Sequence, residues 1–394
     1  MTNAKRTITD LLKTADITVN GSRPWDLLVH DERVFDRTLA YGSLGFGEAY
    51  MDGWWDCEAI DQMLTRVFQS DIDRKVRNWR TLISILATRA RNAQRKSKAF
   101  EIGERHYDVG NDLYKQMLDP RMVYTCGYWK SATDLASAQE AKLDLVCHKI
   151  RLTPGMRVLD IGCGWGSFAI YAAQKYGVEV VGVTVSKEQV ALATQRGAGL
   201  PVEFRLQDYR DVTGTFDRIV SLGMFEHVGY KNYRTYMEVA HRLLPEGGMF
   251  LLHTIGGNRS VHATDAWIEK YIFPNSMLPS IAQIGSSIEE LFVMEDWHNF
   301  GTDYDKTLQC WYKNFEGSWP ELADHYGERF HRMWRFYLQS SAATFRARNN
   351  QLWQVVLSKG GIKKPLSNLF ARTLFHRGVD IGFSLYYCTS TLVQ

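Results

Sequence analysis

The chain has 394 residues, enough for one large core with a smaller domain beside it, and its hydrophobic (45%) and charged (23%) fractions are those of a water-soluble globular protein. Its formal net charge of +3 is too small to point to nucleic acid. No apolar run is long enough to span a bilayer and no signal pattern opens the chain, so any membrane contact is expected to be peripheral.

Residues 1 to about 70 alternate helical and short extended patterns, with turn signals at Asn20-Gly21-Ser22 and from Gly42 to Gly47. Trp54 and Trp55, flanked by Asp52 and Asp56, read as core tryptophans of a small, mainly helical N-terminal domain, placed at 1–73. Between Arg74 and Lys98 nine Lys and Arg residues occur without a single Asp or Glu, while Val76, Trp79, Ile83, Leu86 and Ala90 recur at helical spacing. Such a basic amphipathic segment (74–100) suits either an anionic lipid surface or a solvated interdomain helix. It also marks the domain boundary. The next stretch, 104–112 (ERHYDVGND), reads as a helix with a glycine break, and 124–129 as a polar-aromatic loop. Residues 137–151 read as an amphipathic helix stopped by Pro154-Gly155.

The pattern then becomes that of an α/β sheet. Val158, Leu159 and Ile161 make a short β-branched-rich run, Gly162, Gly164 and Gly166 make a turn without Cβ atoms, and a helical pattern begins at Ser167. The spacing is GxGxG, neither the GxGxxG of dinucleotide binders nor a P-loop. Further strands are expected at 178–185, 202–206, 216–222 and 247–253, each pair joined by a helical pattern, giving a doubly wound, Rossmann-like sheet. Strand ends carrying Ser186-Lys187-Glu188-Gln189 and Gln207-Asp208-Tyr209 suit a ribose and an adenine better than a pyrophosphate. The site therefore reads as one for S-adenosylmethionine, of the methyltransferase type. After Gly256 the alternation breaks into an apolar insertion reaching about residue 290. A strand-like 292–300, two helical stretches from Asp303 to Phe345 and a last strand at 351–357 follow, then a tail whose sequence says little.

Ligands of open α/β sheets bind beyond the carboxyl ends of the strands. Glu226 follows the fourth strand and His253 ends the fifth, which puts both near the reacting methyl group; His227 reads as structural. Cys126 is weaker on composition alone, since buried cysteines are usually inert. The six cysteines (57, 126, 147, 163, 310 and 388) show no CxxC pair and no zinc spacing, which makes a metal centre unexpected and a reducing cytoplasm the simplest location. The apolar insertion and the helices after residue 257 suggest a long hydrophobic acceptor channel. Twelve Trp with nineteen each of Tyr and Phe would suit a cationic intermediate.

The segments GSLGFGEAYMDGWW (42–55), HYDVGNDLY (106–114), VYTCGYW (123–129), VLDIGCGWG (158–166), QDYRD (207–211), MFEHVG (224–229), LLHTIG (251–256), KYIFPN (270–275), MEDWHNFGTDYDKTL (294–308) and FRARNNQLWQ (345–354) together closely resemble the cyclopropane-fatty-acyl-phospholipid synthases, relatives of the mycolic acid cyclopropane synthases. The early GSLGFGEAYMDGWW points to the two-domain, phospholipid-acting branch. The resemblance implies methyl transfer from S-adenosylmethionine to the cis double bond of an acyl chain in a membrane phospholipid, with loss of a proton closing the ring. It implies a bound bicarbonate as the base, held by Cys126, Glu226, His253, Tyr304 and the backbone of Ile255. It implies donor binding by Tyr124, Thr125, Gly162, Gly164, Thr184, Gln189, Asp208 and Tyr209. It further implies a catalytic domain at 101–360, a homodimer formed through the N-terminal domain, a location on the inner face of the cytoplasmic membrane, and no nucleic-acid partner. On that view the basic segment becomes a bilayer contact. Two features depart from the family: Ser341 stands where some relatives carry a cysteine once thought nucleophilic, and the 361–394 tail is longer than expected.

Overall fold

The structure, a computed structural model, describes residues 2–70 and 110–363. The expectations for the basic 74–100 segment, for most of the helix at 104–112 and for the tail lie outside these residues. The helices are α1 (Asn3–Thr14), α2 (Arg33–Tyr41), α3 (Ser43–Met51), α4 (Ile60–Gln69), α5 (Asn111–Met117), α6 (Leu135–Lys149), α7 (Ser167–Tyr176), α8 (Lys187–Arg196), α9 (Tyr233–Leu243), α10 (Ala266–Tyr271), α11 (Ile281–Ile288), α12 (Thr302–Tyr326) and α13 (Glu328–Arg346). The strands are β1 (Leu28–Val29), β2 (Trp55–Asp56), β3 (Arg157–Ile161), β4 (Glu179–Thr184), β5 (Val202–Leu206), β6 (Arg218–Leu222), β7 (Met249–Gly257), β8 (Val293–Asn299) and β9 (Asn350–Ser358).

Seven strands form one sheet in the order β5-β4-β3-β6-β7-β9-β8. The run from β5 to β7 is parallel, with Leu159 opposite both Val181 and Ile219. From β3 the chain winds outward to β4 and β5, then returns to β6 on the other side. The carboxyl ends of β3 and β6 therefore flank the point where the winding reverses, the crevice in which such sheets bind ligands. The expected strands are present with small changes at their ends, and β7 runs on to Gly257. The last strand, β9, inserts antiparallel between β7 and β8.

Two expectations need correction. No α-helix links β5 to β6. Asp208 accepts the Arg210 N–H and closes a short 3-10 turn, Tyr209–Asp211, so local side-chain bonding wins over the helical pattern. Nor is Gly42 to Gly47 a loop. Gly42, at φ +59°, separates α2 from α3, but Gly45 and Gly47 lie within α3. A Cβ on Gly47 would come within 2.5 Å of the Trp267 ring, so this glycine serves close packing rather than a turn.

Helix starts follow from side-chain caps. Asp134 and Ser137 form a capping box at α6, Ser186 accepts the Gln189 N–H at α8, and Ser280 and Gln283 form a second box at α11. Leu159, Ile161, Val181 and Val183 pack in one core with α9 and α11. A second core joins α1–α4 to α5, α12 and α13. Within it Trp55 is fully buried, stacks on Phe46 at 4.3 Å and donates from its indole to the Phe46 carbonyl, while Trp54 is half-buried beneath the Arg33 and Arg37 guanidinium groups. The described residues up to Gly361 thus belong to one compact unit.

Candidate active site

A cavity of about 1180 Å³ opens over the carboxyl ends of β3 and β6. Its floor is the glycine loop: Gly162, Gly164 and Gly166 have φ of +82°, +54° and +80°, values that side chains with a Cβ rarely adopt. The loop places backbone at the wall and starts α7 directly behind it.

Of the residues expected to hold a donor, Tyr124, Thr125, Gly162, Gly164 and Gln189 converge on this cavity. The Tyr124 hydroxyl pairs with that of Tyr337 at 2.7 Å. Thr125 packs over the end of β6, where its methyl would meet a Cβ on Gly223 at 2.7 Å. It is held from α6 by Gln139, which donates to its carbonyl, and by Lys142, which donates to its hydroxyl, both at 2.7 Å. Thr184 lies behind the wall and donates to the Gln189 side-chain oxygen at 2.8 Å, so it orients a neighbour. Asp208 and Tyr209 do not reach the wall. The Asp208 carboxylate is engaged by Arg210, and the Tyr209 ring packs on Tyr236.

At the inner end stand Glu226, His253, Ile255 and Tyr304. Glu226 sits on the 3-10 turn after β6, and its Oε1 accepts the Ile255 N–H at 2.7 Å. That N–H is therefore engaged in orienting the carboxyl. Oε2 is buried without a hydrogen-bond partner, and burial pushes the carboxyl up to about 7. His253 lies two residues before Ile255 on β7. Its Nδ1 faces the Gln354 amide nitrogen at 3.4 Å, and its Nε2 is buried and unpartnered. Burial, then the charges of Lys142 and Lys149, hold this imidazole well below the usual histidine range. Burial thus favours the neutral imidazole, with Gln354 orienting the ring through Nδ1 and Nε2 left toward the site. Tyr304 projects from α12, its ring 4.5 Å from Phe345. Cys126 does not line the cavity: its thiol donates to the Gly127 carbonyl at 3.1 Å, and burial raises it well above the usual thiol range. A buried thiol of that kind is a poor nucleophile. His227 lines the wall near Phe273, pushed down to about 4 by burial.

Outward, the wall becomes apolar and crosses into the N-terminal helices, through Leu12, Phe46, Leu64, Trp267 and Phe336. The sequence reading assigned the acceptor channel to the insertion and the helices after 257, where Trp267 and Phe336 lie, and missed the contribution of the N-terminal helices. It also missed Lys142 and Asp160, both buried on the wall. A signal for Lys142 existed: it falls on the same helical stripe as Leu135, Ala138 and Val146. Among the described residues no cluster of side chains has the makings of a metal site, and no helix is long and apolar enough to cross a membrane.

The model of the mycolic acid cyclopropane synthetase family matches residues 94–355. The chain is 53% identical over 359 residues to the cyclopropane-fatty-acyl-phospholipid synthase of Escherichia coli (strain K12), covering 91% of this chain and 94% of that protein. It is 34% identical over 393 residues to the tuberculostearic acid methyltransferase UfaA1 of Mycobacterium tuberculosis, covering 91% and 90%. Among solved structures it resembles the mycolic acid cyclopropane synthase CmaA1 complexed with SAH and CTAB, with a TM-score of 0.63 and 33% identity over 66% of this chain and 98% of that one.

Proposed function

The chain belongs to the mycolic acid cyclopropane synthetase family, and on that premise we propose that it cyclopropanates the cis double bond of unsaturated acyl chains in membrane phospholipids, with S-adenosylmethionine as donor and bicarbonate as base. The observation that carries the reading is the pair of buried, unpartnered polar atoms, Glu226 Oε2 and His253 Nε2, on the wall of a cavity that becomes apolar outward. Buried polar atoms without partners are rare in folded proteins, and two on one wall fit a small polar ligand.

A bound sulfonium donor supplies an electrophilic methyl group, and a bound bicarbonate supplies a base that alkylation does not exhaust. The chain's residues do the rest. The glycine loop, Gln189, Tyr124 and Thr125 hold the donor; Thr184 fixes Gln189. His253 Nε2, the Tyr304 hydroxyl on the same wall and Glu226 Oε2 would hold the anion, with the imidazole and phenol as donors and the carboxylate as acceptor. The Ile255 N–H keeps that carboxyl in place. An alkene is a weak nucleophile, so the apolar walls must align it with the methyl carbon. Its π electrons form the new C–C bond as the S–CH3 bond breaks. The resulting carbocation closes to the ring when the added methyl loses a proton, and the same walls keep water from quenching it.

The N-terminal helical region (1–73) is proposed to face lipid and to form a homodimer, with residues 74–100 as a basic membrane contact, 101–360 as the catalytic domain and the protein peripheral at the inner face of the membrane. Labelled S-adenosylmethionine and unsaturated phospholipid vesicles test the chemistry. The expected acyl product gains one CH2 and converts its double bond to a ring. A methyl-branched product would mean that the reaction stops at methylation, and no lipid product would overturn the reading. Flotation with anionic vesicles is expected to weaken with salt. Light scattering that returns only monomer would overturn the dimer.

A further inference from the structure

Outward along β7 the cavity wall divides. One side runs into the N-terminal helices and is apolar. The other stays polar where β7 ends against the start of β9: Gly257 faces Asn350 there, about 13 Å of strand beyond His253. Asn258, Arg259, Thr344, Asn349 and Asn350 line the cavity at this corner. Asn258 Nδ2 donates to the Arg348 carbonyl at 2.8 Å and Asn350 Nδ2 to Thr344 Oγ1 at 3.0 Å. These bonds tie the loop after β7, the end of α13 and the start of β9 into one surface.

Two donors on that surface have no hydrogen-bond partner among the described residues, the exposed Arg259 guanidinium and the half-buried Asn349 amide. Among the same residues no carboxylate lies within 4.0 Å of Arg259, nor of the neighbouring Arg348, which donates to Gln351 Oε1 at 2.6 Å. Asp265, the next acid along the chain, accepts the Trp267 and Ile268 N–H groups at the start of α10. Glu269 lines the wall from α10, and burial raises its carboxyl toward the neutral form. Among the described residues Lys142 and Arg259 are the lysine and arginine on the cavity wall; Lys142 is buried and donates to Thr125 Oγ1, whereas Arg259 is open to what enters. The rim beside it is apolar: Tyr41, at the end of α2, and Val261 line the cavity and are 60% and 37% exposed. A cation flanked by exposed apolar side chains, at the mouth of an apolar channel, matches a ligand with a phosphate at one end and a hydrocarbon chain at the other.

We infer that this corner binds the phosphodiester of the phospholipid substrate, with the Arg259 guanidinium pairing to a phosphate oxygen and the Asn349 amide donating beside it. The inference rests on the lipid reading above and adds to it a residue that recognises the polar end of the substrate. β7 then sets the separation of the two ends, since it carries His253 at the reacting end and leads into Arg259 at the polar one. Arg259 touches the lipid away from the reacting carbon, so it governs KM rather than kcat.

The competing role is general: an exposed arginine that draws the protein to any anionic surface. Steady-state assays in mixed micelles of a neutral detergent separate the two, on the parent, Arg259→Ala and Arg259→Lys. Two substrates carry the same unsaturated acyl chains, phosphatidylglycerol with the phosphate and diacylglycerol without it. Diacylglycerol is assayed both alone and in micelles that also hold saturated phosphatidylglycerol. Loss of a charge-assisted hydrogen bond at a half-open site weakens binding about five- to tenfold. Arg259→Ala is therefore expected to raise KM for phosphatidylglycerol by that factor at nearly unchanged kcat. Its diacylglycerol turnover should change less than about twofold in either micelle, with parental S-adenosylhomocysteine affinity showing that the variant is folded. Arg259→Lys keeps the charge without the fork and should recover most of the loss. A loss on diacylglycerol that appears when the micelle holds saturated phosphatidylglycerol would assign Arg259 to the surface as a whole and overturn the inference. Equal losses on both substrates, or none on phosphatidylglycerol, would also overturn it. Submillimolar competition by inorganic phosphate that Arg259→Ala abolishes would assign the corner to free phosphate and overturn it as well. A parent that turns over neither lipid would instead refute the lipid reading.

Discussion

Replacing Glu226 by Gln removes one ionisable group from the inner end of the cavity while keeping its shape. Burial pushes this carboxyl from 4.5 to about 7, and at 1.36 kcal/mol per unit the charged form costs the folded protein about 3 kcal/mol. In the unfolded chain the same group ionises near its ordinary value. Between those values the folded state holds a proton that the unfolded state has released. Stability therefore falls as pH rises from about 4.5 to about 7, and the whole loss is present above 7. Glutamine escapes it, and its amide oxygen can still accept the Ile255 N–H. The variant is expected to exceed the parent by under about 1 kcal/mol near pH 5 and by about 3 kcal/mol at pH 8.5. An unfolding entropy of about 2.1 cal/mol/K per residue gives about 0.8 kcal/mol/K for this chain, so the gap in Tm is about 4 °C. Scanning calorimetry in degassed, bicarbonate-free buffer at the two pH values measures it. Asp160 titrates in the same direction but is common to both proteins and cancels. Turnover should be lost at both pH values. A Tm gap that does not change with pH, or a variant with parental rates, would refute the reasoning.

His253→Ala removes the Nε2 donor and leaves the glycine loop intact, so S-adenosylhomocysteine affinity should stay within about threefold while turnover falls by at least a hundredfold. Titration calorimetry beside a labelled-methyl assay reads both, and an unaltered rate would remove His253 from the mechanism. Ser341→Trp puts an indole into the cavity wall and should suppress lipid turnover without changing S-adenosylhomocysteine affinity; a parental rate on long acyl chains would move the channel elsewhere. Gly256→Ala would bring a Cβ to 1.9 Å from the Trp353 ring on the paired strand β9, so a destabilisation of about 1–3 kcal/mol or more should appear as a lower Tm.

The parts of the fold that depend on local pattern were legible. The run from Val158 to Ile161, the three glycines and the helical start at Ser167 fix a strand, a left-handed loop and a helix through backbone sterics alone. Glu226 and His253 were placed by the rule that sites lie beyond strand ends, and both line the cavity. What depends on distant partners was not legible. Nothing near residue 350 says that β9 will slot between β7 and β8, because that register is set by Leu252 facing Val355 across a hundred residues of chain. The glycines of α3 suggested a turn because the reason for their small size, the Trp267 ring, belongs to another part of the sequence. Asp208 and Tyr209 sit at a strand end as read, yet neither lines the cavity, and the Asp208 carboxylate is bonded to Arg210.

The energetics of the inner site and its chemistry have one cause. Burial shifts each ionisable group there toward its neutral form: Glu226 and Asp160 upward, Lys142 and His253 downward. A pocket wet enough to relieve those shifts would also hold water against the carbocation that the proposed reaction forms, and water would capture it before the ring closed. Dryness is thus required by the intermediate, and the perturbed acids and bases follow from it. It also explains why the groups at the inner end are fixed by single, specific bonds, Ile255 to Glu226 and Gln354 to His253, instead of by ion pairs. An ion pair would place full charges where burial favours neutral groups. One bond orients each group and leaves its other polar atom to face whatever enters.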